Sequence, residues 1–206
     1  VTPSVRPYAG RSADDRSAER RERLLEAGLE LFATVGAAGA TMTAICAHAK
    51  LTERYFYQSF SSKEDLLKQV IAAVSSEVRV AALDALASPA STVEKQVENA
   101  ISAFVGVMTA DRRKGRVAMI ESSAVESLRA YRQELLRDFA SLVAEQAHAL
   151  YGDRAWSTPR SEINAILFVG GLAELVVTWL NGEIDVTPTQ IVAAATDNFV
   201  STARRP

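Results

Sequence analysis

Apolar residues recur along this chain with the three- and four-residue spacing of amphipathic helices, and nowhere with the alternation of a half-buried strand. An aperiodic stretch at residues 1–17, rich in Pro, Gly, Ser, Asp and Arg, reads as a mobile arm. From Ala18 the pattern is helical: Ala27, Leu31 and Val35 share a stripe, and Gly36 follows as a C-terminal cap. Thr41 offers an N-cap oxygen to a short helix whose inner face is Met42, Ile45, Cys46 and Ala49. Lys50-Leu51 interrupts, Thr52 caps again, and Phe56 and Phe60 lie one turn apart on a third helix. Two overlapping capping boxes, Ser61 with Glu64 or Ser62 with Asp65, precede a long helix carrying Leu66, Leu67, Val70, Ile71, Val74 and Val78.

Ser88-Pro89 breaks the chain, and Ser91 with Glu94 can cap a helix through Met108. The charged Asp111-Arg112-Arg113-Lys114 reads as a solvated loop, followed by a short helix near Val117–Ser122 and a longer one near Val125–Tyr151. Thr158-Pro159 opens a helix that is apolar almost all round between Ile163 and Leu180, which calls for cover on several sides. Thr187 and Gln190 form a capping box around Pro188 for the last helix, with Ile191, Ala194, Ala195, Phe199 and Val200 on its apolar side. The predicted fold is all-α.

Composition narrows this little further. With 48% hydrophobic and 23% charged residues the chain is far from the disordered corner. No apolar run approaches the ~18 residues needed to span a bilayer and the first ten residues lack a secretory core, so a cytoplasmic protein with no membrane partner is expected. One cysteine, Cys46, and two histidines, His48 and His148, supply no metal site, and no cofactor is implied. Up to Phe60 the chain has eight Lys and Arg against seven Asp and Glu; the rest is acidic. Any attraction for nucleic acid must come from a local arrangement of donors rather than bulk charge.

Two short helices joined by a tight turn, after a longer first helix, are the plan of a helix-turn-helix, whose second helix enters the major groove of DNA. With Phe56 and Phe60 inward, Glu53, Arg54, Tyr55, Tyr57, Gln58 and Ser59 face outward. Arg54 can donate twice to guanine, Glu53 can accept from cytosine, Tyr55 can touch a thymine methyl or a phosphate, and Tyr57 can bond a phosphate. Thr41, Thr43 and Lys63, near helix N-termini, are placed to hold phosphates. Taken singly each is an ordinary surface residue; their common register favours DNA. Arg6, Arg11 and Arg16 of the arm have the chemistry of minor-groove contacts, although a disordered tail is the simpler reading.

The run from Thr41 to Ala49, followed by Leu51-Thr52-Glu53-Arg54-Tyr55-Phe56-Tyr57-Gln58-Ser59-Phe60 and Ser62-Lys63-Glu64-Asp65-Leu66-Leu67, resembles the DNA-binding domain of the TetR family. The resemblance covers about fifty residues and implies an N-terminal helix-turn-helix domain at 18–62 and a larger helical effector-binding and dimerisation domain at 63–206. It places Thr43, Tyr57 and Lys63 at phosphates and Thr52 to Tyr55 at bases. Lys50 stands at a turn position commonly Gly in the family, where a left-handed backbone would cost roughly 1 kcal/mol.

The resemblance further implies a repressor released from a palindromic operator by a small molecule, and a homodimer formed by the last two helices. Gly170 and Gly171 would allow close approach there, with Val177 and Phe199 beside them. Phe104, Met108, Met119, Phe139 and Phe168 are large adaptable groups suited to an apolar or amphipathic ligand, and Glu121, Asn164 and Glu174 are candidates to orient it. An enzyme built in a helical bundle is the rival class; it calls for a Glu-x-x-His pair or a nucleophile and base, neither of which is expected here, and no Gly-rich phosphate loop supports it.

Overall fold

The computed structural model describes residues 13–205, and their regular structure is helical. Helix α1 (Ala13–Gly39) begins before the expected boundary, taking residues 13–17 from the arm. Asp14 and Asp15 in its first turn face the positive end of the helix dipole, which favours this earlier start. The rest of the arm, with Arg6 and Arg11, lies outside the described residues. At Gly36 the backbone departs from helix (φ 77°, ψ 163°), a conformation that side chains beyond glycine rarely adopt.

Helices α2 (Met42–His48) and α3 (Glu53–Ser59) follow as expected, with the Thr41 hydroxyl accepting from the Ala44 N–H at 3.1 Å. Of the two candidate boxes ahead of α4 (Lys63–Ala87), Ser62 is the cap, accepting from the Asp65 N–H at 3.0 Å. Asp65 returns its carboxylate to the Ser61 N–H and hydroxyl at 2.9 and 3.1 Å. Leu24, Phe32, Ile45, Phe56 and Leu66 are fully buried in the core these four helices share.

The remaining chain forms α5 (Val93–Ala110), α6 (Arg112–Gly115), a wide π-helical turn (Arg116–Glu121), α7 (Ser122–Ala124), α8 (Arg129–Tyr151), α9 (Arg160–Leu180) and α10 (Pro188–Thr202). Three local expectations shift. Thr92, not Ser91, caps α5; the short helix at 117–122 is the π turn; and α8 starts at Arg129, after a 3₁₀ turn at Glu126–Leu128. The Thr187–Gln190 capping box forms with both of its bonds. Val97, Ile101, Ile191 and Phe199 centre a second core between α5 and α10, and Val74, Val78, Met108 and Val176 a third.

Helix α9 departs from expectation. Its 21 residues include an 18-residue stretch of mean hydropathy 1.9, long and apolar enough, by length and composition, to cross a membrane. Its few polar residues interrupt the apolar run without lowering the average much. Ala165, Ala173 and Val176 are buried as it packs on α8 and α10, while Ile166 and Leu167 remain 58% and 69% exposed.

Candidate nucleic-acid interface and internal cavity

The outward row of α3 forms because Phe56 and Phe60 are spent inward, 0% and 2% exposed, with their rings 5.7 Å apart. Arg54, Tyr57 and Gln58 then point to solvent, Tyr57 59% exposed. The Arg20 guanidinium of α1 stacks 4.7 Å over the Tyr55 ring, fixing an exposed aromatic that sequence reasoning treated as free. Thr43 donates to the Glu53 carboxylate at 3.1 Å, so these two candidates are tied to each other across α2 and α3. Thr52 sits at the N-cap of α3 without a capping bond, leaving its hydroxyl available.

The turn between α2 and α3 contains Lys50 in the left-handed region, φ 53°, as its place in the motif demands. Arg23 of α1 donates to the Ala49 and Lys50 carbonyls and holds that turn from behind. Lys63, expected at a phosphate, has partners inside the subunit. Its half-buried ammonium donates to the Ala37 and Ala40 carbonyls at 2.8 and 2.9 Å, satisfying the end of α1 where the break at Gly36 leaves acceptors without helical partners.

Between α4, α5, α8 and α9 lies a cavity of about 190 Å³. Phe104, Met108, Met119, Phe139 and Phe168 all line it; Glu121, Asn164 and Glu174 do not. Asn164 is buried, donating to the Thr202 carbonyl at 2.6 Å and so tying α9 to α10. Glu174 is on the exposed face of α9. Phe199, expected at a dimer face, is 6% exposed inside the subunit, 5.3 Å from the Phe168 ring, and lines the cavity instead. Gly170 and Gly171 are exposed with nothing within 4 Å of an added Cβ, and Val177 is half-buried. Sequence reasoning missed Arg132, a cavity-lining cation within the otherwise apolar stripe Leu128, Leu135, Leu136 and Phe139.

Residues 111–128 join the cavity to the helix-turn-helix. Rather than a solvated loop, Arg113 engages Asp111, Glu26 and Glu30, each at 2.8 Å, and Lys114 engages Glu77 of α4 at 2.7 Å. The Asp111 carboxyl is held below its usual range chiefly by its bond from Arg113. Val117 and Leu128 enter the N-terminal core, while Ala118, Met119 and Ser122 of the same segment line the cavity. Glu121, 7% exposed, accepts from the Ala37 N–H at 2.7 Å. Its carboxylate ties the π turn to the end of α1, which only the long-range fold could reveal.

Cys46 is buried in the N-terminal core, and burial, with Glu53 adding to it, raises its thiol pKa; this suits packing rather than reactivity. Glu145 and His148 do stand at Glu-x-x-His spacing on α8, but both are exposed. Among the described residues no group of three His, Cys, Asp or Glu is placed to hold a metal.

The family model for bacterial regulatory proteins of the tetR family matches residues 24–70, the segment from Leu24 to Val70 that builds the helix-turn-helix and the start of α4. No curated protein matches the chain. Solved structures match most of its length. A transcriptional regulator from Pseudomonas aeruginosa PAO1 superposes with a TM-score of 0.73 at 17% identity, covering 92% of this chain and 95% of that one. The regulator FadR from Bacillus subtilis, solved with stearoyl-CoA, gives 0.73 at 16% identity over 89% of this chain and 99% of its own. A TetR-family regulator from Marinobacter aquaeolei VT8 gives 0.65 at 19% over 93% and 100%. The matched family and these structures are transcriptional regulators, not enzymes.

Proposed function

We propose that this chain, a regulator carrying the DNA-binding domain of the TetR family, is a cytoplasmic, dimeric repressor that leaves a palindromic operator when an apolar or amphipathic molecule fills its cavity. The observation that carries this reading is the placement of residues 111–128. Ala118, Met119 and Ser122 border the cavity, while Val117, Glu121 and Leu128 are bound to the helices that present α3. A ligand that reshapes one side of this segment acts on the other, provided it prefers the conformation that does not fit DNA.

On the operator, Arg54 reads a guanine while Thr43, Tyr57 and the Thr52 hydroxyl hold the backbone. Two copies meet through α9 and α10: the exposed Ile163, Ile166 and Leu167, followed by the bare Gly170 and Gly171, make a self-complementary apolar stripe. The stearoyl-CoA bound to the Bacillus subtilis neighbour supports an elongated ligand here.

The test is selection of bound duplexes from a random library, followed by titration of the recovered operator with candidate ligands. A recovered palindrome, and a ligand that lowers affinity for it, are expected. Recovery of no sequence preference overturns the regulator reading, and a tight cavity ligand that leaves operator affinity unchanged overturns the switch.

A further inference from the structure

The cavity has a polar end and an apolar end. Along α8 its lining residues Arg132, Leu135, Phe139, Val143, Gln146 and Leu150 form one stripe that spans about 27 Å at the helical rise. Helix α4 leaves the N-terminal core and lines the cavity first with Ser75 and last with Leu86; α5 returns antiparallel. Ser122 lies next to Glu121, the residue bound to α1, and Arg132 next to Tyr131, which packs on the N-terminal core. Ser75, Ser122 and Arg132 therefore gather at the end nearest the DNA-binding domain. The far end is closed by Leu86, Val97, Leu150 and Phe199, with Gln146 the one polar lining group toward it.

Among the described residues, Arg132 is the one charged side chain lining the cavity. It is half-buried against apolar walls and has no carboxylate within ion-pair distance among the described residues, whereas Arg113, also half-buried, has three. A cation shielded from water in this way favours an anionic partner, and a guanidinium fits a carboxylate by two parallel bonds. We propose that the effector is a single-chain amphiphile with an anionic head, in its simplest form a long-chain carboxylate. Its head is held by Arg132 beside Ser75, and its tail runs along α8 toward Leu150. This rests on the cavity being the effector site and adds to it a charge and a direction.

The experiment is calorimetric titration of the full chain near neutral pH, below the micellar range, with dodecanoate, dodecanol and dodecanoyl-coenzyme A. Wild type is expected to bind dodecanoate at least about tenfold more tightly than dodecanol, and Arg132→Gln to bring the two within about twofold by weakening the carboxylate alone. Arg132→Lys, which keeps the charge, retains the preference and serves if the Gln variant does not fold. Phe139→Trp, which fills the middle of the channel, should weaken both. Equal binding of acid and alcohol by wild type overturns the anionic head and leaves the cavity reading intact. Stronger binding of the coenzyme A thioester than of the free acid, undiminished in Arg132→Gln, also overturns it, because the anionic head would then be held without Arg132. Binding of none of the three by a folded protein overturns the proposal together with the cavity reading.

Discussion

The Glu121 carboxylate accepts a hydrogen bond from the Ala37 N–H at 2.7 Å, joining positions 84 residues apart where α1 breaks. The adjoining Gly36 is open toward it, since a Cβ built there would meet the Glu121 Oε2 at 3.5 Å. Glu121→Ala leaves a buried N–H without an acceptor and should cost about 1–3 kcal/mol in urea unfolding. Glu121→Gln, which keeps an acceptor oxygen, should lose less. An alanine variant as stable as wild type would mean that the bond contributes nothing to holding the π turn on α1.

Arg54 and Lys63 should separate in DNA titrations at several salt concentrations. Arg54→Ala should cost roughly 1–3 kcal/mol on the operator and relax choice at one base pair per half-site, while binding to scrambled duplex stays near wild type. Lys63→Met removes the donors to Ala37 and Ala40, so its main effect should be a lower melting temperature, with the slope of log affinity against log salt unchanged. A slope flattened by about two for the dimer would return Lys63 to the phosphates.

Lys50→Gly should stabilise the domain by up to about 1 kcal/mol, because a side chain at φ 53° is relieved. Arg23→Ala, which frees the turn carbonyls, should act in the opposite direction. Denaturant midpoints of the two single variants and the double variant measure both effects and their coupling.

Leu167→Glu places a charge in the centre of the exposed α9 stripe and should yield a monomer by sedimentation, with the fold intact by circular dichroism. Gly171→Leu should weaken association less completely by pushing the paired helices apart. A wild type that is monomeric at micromolar concentration removes the basis of both.

The Asp65 carboxyl lies below its usual range, first because it accepts from the Ser61 N–H. A carboxylate with a depressed folded pKa adds stability above its unfolded value of about 3.9, and loses it as the pH falls through the folded value. Asp65→Asn should therefore be less stable than wild type at neutral pH, and the gap should close on acidification. An acid titration of melting temperature for both proteins checks the sign.

The helix-turn-helix was legible because its determinants are local. Thr41, the Ile45/Cys46 face and the Phe56/Phe60 pair lie within twenty residues, and the outward row follows from them by helical period. The cavity's aromatic and methionine residues were legible as bulk, since large adaptable side chains serve walls and cores alike. Lys63, Arg113 and Glu121 were not, because the partners that tie them to α1 lie 23–87 positions away in sequence. Phe199 shows the remaining ambiguity: the apolar stripe of α10 predicts burial but not whether its own subunit or a twin provides it.

The brevity of α3 limits how much one subunit can say. Its seven residues span about 10 Å, roughly three base-pair steps. A word of three pairs recurs by chance about once in 64 positions, whereas two such words in fixed relation recur about once in 4,000. In the proposed dimer, pairing is thus a matter of address as much as of covering apolar surface. The separation between the two recognition helices would then become part of the message, and a ligand that altered that separation would change the address without touching a single letter.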